Sequence, residues 1–231
     1  MVDASDDLLN QLDSHLATPC QAWLFGAGIS RGAGIPLMVA LTARIRALAN
    51  GTAHQAVLDA LFAELPANAH IEHLLSHLGD YAALAERAKL ADVSVSGTKV
   101  KVVALTETHK AVVAWIAETV RWGYRAAQSG APEEVGESGK SIVKIHEHKE
   151  FIQALFKTTQ AGLGDRRGAV RLFSTNYDTL LEDALALCAV SCWDGFSGGA
   201  VAFRNFSFGE AEPVVAHRAH VIKLHGSSDW R

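Results

Sequence analysis

Three short stretches carry residue types that could do chemistry on a nucleotide. Phe25-Gly26-Ala27-Gly28-Ile29-Ser30-Arg31-Gly32-Ala33-Gly34-Ile35-Pro36 is a glycine-rich run. Glycines permit a tight turn and let backbone N–H groups come close to a phosphate, which a following helix N-terminus also favours. Ser174-Thr175-Asn176-Tyr177-Asp178 sets an amide two residues before a carboxylate. Leu224-His225-Gly226 supplies a histidine, the side chain that exchanges a proton near neutral pH. Each stretch also has an ordinary explanation. The glycines could serve a structural turn, Asn176 a strand-end turn, Asp178 a helix N-cap, and His225 a plain strand end.

The glycine run does not read as a dehydrogenase fingerprint. Gly26 and Gly28 fit G-x-G-x-x-G, but Arg31 stands where the third glycine belongs. No Asp or Glu lies between Asp13 and Asp59, so the acidic residue that holds the ribose about 20 positions on is missing. A second phosphate-loop candidate, Gly136-Glu137-Ser138-Gly139-Lys140-Ser141, resembles the end of a Walker A loop. Its first glycine would fall at Glu134, and no strand precedes it, so it reads as a solvated loop.

The elements that must position these stretches follow from periodicity. Residues 5–18 read as a short amphipathic helix with Leu8, Leu9, Leu12 and Leu16 on one face. Ala22-Trp23-Leu24-Phe25 reads as a buried strand ending at the glycines. A helix is expected from near Pro36 to about Ala49, stopping at Asn50-Gly51. Residues 53–128 carry helical periodicity, 129–141 read as a loop, and Ile142 to Thr159 as a helix. Then come a strand at Ala169–Ser174, a helix at Asp178–Ala189, a hairpin or loop with short strands at 196–217, and a strand at Val221–Leu224. This order predicts an α/β fold: a Rossmann-like parallel sheet with helices on both faces and a large helical insertion. Residues 20–50 and 168–231 would form the nucleotide-binding part, and 51–165 the insertion. All three stretches would lie at strand carboxyl ends, where such sheets bind ligands.

Taken together and in order, the three stretches resemble the sirtuin family. Gly26-Ala27-Gly28-Ile29-Ser30 with Gly34-Ile35-Pro36 is similar to its first NAD-binding motif, Ser174–Asp178 to its second, and Leu224-His225-Gly226 to its catalytic-histidine motif. The departures are informative. Leu37-Met38-Val39 stands where deacylases have Asp-Phe-Arg, and Thr175 replaces a glutamine. There is no Cys-x-x-Cys pair, so the four-thiolate zinc module of the deacylases is excluded, and no metal is expected. The variant pattern resembles the bacterial sirtuin-like NAD hydrolases of anti-phage defence, which work by abortive infection in Thoeris-type systems or beside short Argonautes or helicase-like ATPases. Ile71–Ser76 is similar to a segment common in that group.

The resemblance implies an NAD+ glycohydrolase, with NAD as substrate and nicotinamide and ADP-ribose as products. It implies Asn176 and His225 as catalytic residues. Gly26, Ala27, Gly28, Ser30, Thr175, Asp178 and Gly226 would bind NAD, with Asp178 receiving the nicotinamide carboxamide. A homo-oligomer and a defence-system partner or phage-derived trigger are expected to control the activity, because unrestrained hydrolysis would be toxic. The chain ends at Trp230-Arg231, soon after the histidine. Sirtuin-like domains continue with strands on the adenosine side, so a truncated C-terminal part is expected. Two other readings stay open: a non-catalytic NAD- or nucleotide-sensing interaction module, and an NAD-dependent protein deacylase.

Bulk properties agree with an ordinary globular chain. Of 231 residues 49% are apolar and 20% charged, and the net charge of −4 does not point to nucleic acid. The N-terminus lacks a signal-peptide pattern, no apolar run reaches transmembrane length, and three unpaired cysteines suit a reducing cytoplasm. His70, His73 and His77 share a helix face without the order of a zinc motif. His146 and His148 are two apart and share no helix face.

Overall fold

The computed structural model describes residues 4–16, 18, 20–156, 169–198, 202–204 and 218–225. The chain divides into two compact units, residues 1–33 with 144–231, and residues 34–143. In chain order the elements are α1 (Ala4–Leu16), β1 (Ala22–Phe25), α2 (Gly28–Arg31), α3 (Met38–Ala49), α4 (Gln55–Ala63) and α5 (Ile71–Ala88). There follow β2 (Asp92–Val95), β3 (Thr98–Lys101), α6 (Val102–Trp122), β4 (Tyr124–Arg125), β5 (Glu134–Val135) and α7 (His146–Phe156). The last are β6 (Val170–Ser174), α8 (Leu180–Leu187), β7 (Cys192–Trp193), β8 (Phe196–Gly198), β9 (Ala202–Arg204) and β10 (Ala219–Lys223).

The first unit is α/β and Rossmann-like. Its sheet is four-stranded and all-parallel, in the order β1-β6-β10-β7, flanked by helices. Register aligns Trp23 with Leu172 and Val221, and two residues later Phe25 with Ser174 and Lys223. Because side chains alternate along a strand, both rows share one face. Leu172 and Val221 are buried there with Ile152 and Leu155 of α7 and Leu181, Ala184 and Leu185 of α8. The row at the carboxyl end changes from apolar to polar at Ser174 and Lys223. The apolar core therefore stops one row short of the strand ends, and the site begins there. On the other face Leu24 is exposed; Leu8, Leu9 and Leu12 of α1 are also exposed.

The second unit is a helical insertion between β1 and β6. Leu41 and Ile45 of α3, Leu58 and Leu61 of α4, Leu74 and Leu78 of α5, and Leu105 and Val112 of α6 form its core. Its boundaries differ from the expected 51–165. Helix α3 packs its buried stripe into the helical unit, and α7 packs on the sheet. Residues 92–101 were expected to be helical but form a hairpin, β2 paired antiparallel with β3. Val93, Val95 and Val100 alternate inward, and Ser96-Gly97 turns with φ of 48° and 75°. Two consecutive positive-φ residues suit the twist of a tight hairpin.

The glycine-rich loop at 129–141 is more ordered than its composition suggests. β4 pairs with β5, and Gln128 bridges Ala131 as Glu137 bridges Lys140. Gly139 sits in a turn at φ 83°, and the Ser141 hydroxyl donates to the Trp122 carbonyl at 3.2 Å. No helix opens at Lys140-Ser141, so the Walker-like run is a hairpin and not a phosphate loop. β8 pairs antiparallel with β9, which places a hairpin at the start of the expected 196–217 region; residues 205–217 lie outside the described ones. No helix among the described residues is long and apolar enough to cross a membrane.

Candidate functional site

β1, β6 and β10 end side by side, and each is followed by one of the three chemistry-bearing stretches. After β1, Gly26, Ala27 and Gly28 are exposed, and the chain then makes one helical turn, α2, in which Ser30 is buried. Neither Gly26 nor Gly28 has a positive φ, and a Cβ built at Gly28 would meet nothing within 4 Å. The packing of the protein itself therefore does not demand glycine at position 28. Among the described residues the backbone at Gly28 is left clear.

After β6, Ser174 and Thr175 anchor the turn. The Asn176 amide N–H donates to Ser174 Oγ at 3.0 Å, and the Thr175 N–H donates to the Phe25 carbonyl at 3.1 Å. Thr175 Oγ1 reaches the same carbonyl at 3.4 Å, so this hydroxyl ties the second stretch to the end of β1.

Asn176, Ser30 and Asp178 form one buried chain of hydrogen bonds across nearly 150 residues of sequence. Asn176 Nδ2 donates to Ser30 Oγ at 3.0 Å, and Ser30 Oγ donates to Asp178 Oδ2 at 2.7 Å. Asp178 Oδ1 accepts from the Leu180 N–H at 3.1 Å, which satisfies a donor in the first turn of α8. A carboxylate only accepts, so the serine hydroxyl must donate to it and must accept from the amide NH2. That polarity settles the Asn176 orientation and leaves Oδ1 open. Asn176 is 7% exposed, and its Oδ1 is buried with no partner among the described residues.

Lys223, the last residue of β10, holds this loop from below. Its Nζ donates to the Asn176 carbonyl at 3.4 Å and to the Asp178 carbonyl, and it pairs with Glu182 Oε1 at 3.1 Å. An ammonium has three donors, and all three are used. The Lys223 side chain is 3% exposed. Burial pushes the Glu182 carboxyl above the usual carboxylate range, and the Lys223 charge only partly opposes it.

His225 lies two residues past β10 and is exposed, while the Leu224 N–H donates to the Ser174 carbonyl at 2.8 Å. Among the described residues His225 makes no hydrogen bond to Asn176 or Asp178. Gly226 lies outside the described residues. The structure thus brings Ser30, Asn176 and Asp178 into direct contact, uses Thr175 as a tie, and leaves Gly26, Ala27, Gly28 and His225 open to solvent.

Sequence reasoning missed Lys223, Glu182 and His148. A lysine inside an otherwise apolar strand, and a glutamate in the first turn of an apolar helix, are the signals that could have found the first two. His148 is fully buried on α7, whereas His146 faces out and pairs with Glu150 at 3.1 Å. In the helical unit His77 Nε2 lies 2.8 Å from Glu64, and His70 caps α5 beside His73, so the three do not converge on one point. Among the described residues no group of three His, Cys, Asp or Glu side chains forms a metal site. Comparison with protein-family models gave no match, and comparison with curated proteins gave none.

Proposed function

We propose that this chain is a sirtuin-like NAD+ hydrolase that cleaves the bond between nicotinamide and ribose. The observation that carries the reading is the buried Asn176–Ser30–Asp178 chain with Asn176 Oδ1 left open. It joins two of the three motif-like stretches at the carboxyl ends of parallel strands, where such sheets take ligands.

The chemistry asks little of the protein. The nicotinamide of NAD+ is already cationic and leaves as a neutral ring, so no general acid is needed. The C1′–N bond breaks through an oxocarbenium-like state, a water oxygen bonds to C1′, and the water proton passes to a base and then to solvent. On this reading Asn176 Oδ1 accepts from a ribose hydroxyl or from the attacking water. Asp178, held by Ser30 and Leu180, accepts from the carboxamide. His225 takes the proton. The exposed Gly26-Ala27-Gly28 backbone receives the phosphates. Positioned groups of this kind act most strongly where bulk water is kept out. The resemblance extends the proposal to a role in anti-phage defence, with activity released in an assembly or by a partner.

The test is NAD consumption by the purified chain, followed as nicotinamide and ADP-ribose, with Asn176→Ala and His225→Ala alongside. We expect turnover to fall at least 100-fold in both variants, in line with the removal of a base or of a transition-state contact. Binding of NAD without turnover under any condition of assembly would move weight to a nucleotide-sensing module.

A further inference from the structure

A second buried polar group borders this site without a partner. His148 is 1% exposed, and among the described residues neither ring nitrogen has a hydrogen-bond partner. Helix α7 puts it there. His148 stands one turn before Ile152 and two before Leu155, both fully buried, so it lies on the stripe that packs against the sheet. The first turn of α7 is fastened to the glycine loop. The Lys144 N–H donates to the Ala33 carbonyl at 2.8 Å, and a Cβ at Gly32 would stand 2.4 Å from Glu147 Oε2. A side chain at Gly32 would make the Glu147 carboxylate move aside, whereas one at Gly28 meets nothing within 4 Å.

Burying an imidazole without a partner is unfavourable, and phenylalanine would fill the same space without that penalty. The charges around the ring are those of Asp178, from the loop after β6, and of Glu147, from its own helix. Both favour the imidazolium, but burial outweighs them and holds His148 below the usual histidine range. At neutral pH the ring therefore offers one donor and one acceptor. The two carboxylates disfavour a phosphate at this end of the site.

We propose that His148 is a ligand-contacting residue: its neutral imidazole and Asn176 Oδ1 are the two polar groups kept open for an uncharged hydroxyl of the ligand. This rests on the reading above, in which that hydroxyl belongs to a ribose of NAD. The hydroxyl donates to Asn176 Oδ1 and accepts from the ring N–H, so two of the three orphaned atoms gain a partner when ligand is bound. A histidine buried for packing alone would show no such dependence.

The experiment uses the full chain with ring-labelled histidine, in a His225→Ala background that suppresses turnover, and NAD as the probe. NAD is expected to shift the His148 ring resonances, and inorganic phosphate is expected to leave them in place. His148→Phe should weaken NAD binding tenfold or more, with a melting temperature no lower than that of the parent. His148→Gln, which keeps a donor and an acceptor, should recover part of the affinity. Equal NAD binding by parent and His148→Phe, with unmoved His148 resonances, would overturn the proposal and leave the functional reading intact. A parent that does not bind NAD would overturn both. Should His148→Phe fail to fold, the resonance shift and the Gln variant decide the question.

Discussion

In the helical unit Glu64 receives the Ser96 N–H, lies 2.8 Å from the His77 ring and accepts the Tyr81 hydroxyl at 2.8 Å. In the sheet unit the corresponding gathering of polar groups is incomplete. Among the described residues, Asn176 Oδ1, Glu182 Oε2 and both His148 nitrogens are buried without a partner. The helical unit has its own exception, His70 Nδ1, on the residue that caps α5. Orphaned polar atoms are destabilising, so these atoms mark where the sheet unit gives up stability. The helical unit satisfies most of its own buried polar atoms, and the proposed NAD would complete those of the sheet unit.

The sharpest way to break that contrast is at Lys223, where the site depends on a completed interaction. Lys223→Met removes the cation from buried Glu182 and strips donors from the Asn176 and Asp178 carbonyls. Leaving a buried partner uncompensated costs about 3–5 kcal/mol. Urea unfolding of the first transition should report that loss. Adding Glu182→Leu should restore most of the stability, because an apolar pair often replaces a buried ion pair without penalty. NAD affinity should stay low in the double variant, since the loop carrying Asn176 is no longer tied to β10. A single variant as stable as the parent would show that the Lys223 clamp is incidental.

The glycines sharpen the comparison at intermediate magnitude. A Cβ at Gly136 in the helical unit would stand 1.7 Å from the Trp122 carbonyl oxygen, a backbone atom that cannot step aside. Gly136→Ala should therefore cost about 3 kcal/mol, at the upper end for overpacking. Gly28→Ala meets nothing within 4 Å and needs no unusual φ. It should change stability by less than about 1 kcal/mol, the scale of the glycine-to-alanine difference in a helix. Its effect should instead fall on NAD binding. Thermal unfolding of the two variants beside NAD titration separates the roles, and equal damage to stability by both would erase the distinction.

How far these features could be read from residues alone depends on their range. β1, β6, α8 and β10 were legible within two residues at each end, because short apolar runs bounded by glycine or polar tripeptides leave few alternatives. The β2–β3 hairpin was hidden by long helical patterns on either side. Its Val-Ser-Val and Lys-Val-Lys alternation around Ser96-Gly97 was the available signal. The gathering of Ser30 with Asn176 and Asp178 was legible only as a likeness of motifs, since nothing local relates residues so far apart. Lys223 was legible only as an incongruous lysine in a strand, with nothing to name its partners, and His148 was not legible at all. Their roles arise from what the sheet and α7 bring beside them.

The smallest effect concerns acid, and it distinguishes the units by pH window. His148 is held below its ordinary range by burial, so its contribution to stability is complete above the unfolded histidine pKa of about 6.5. It is lost as the pH falls through the folded value. Glu64 is held low mainly by the Ser96 N–H and then by His77, so its contribution is complete above about 4.3 and fades only as the pH falls further. Glu182, raised by burial, runs the other way: its contribution is present below the unfolded value and is lost as the pH rises through the folded one. On acidification, amide exchange corrected for its intrinsic pH dependence should therefore loosen α7 and β6 before α4 and α5. Glu64 is largely exposed, so its step should be shallow and weakened by salt. His148→Phe should remove the earlier loosening and Glu64→Gln the later one. Simultaneous loosening of both units, unchanged by His148→Phe, would mean that the buried imidazole is not what makes the sheet unit the more acid-sensitive of the two.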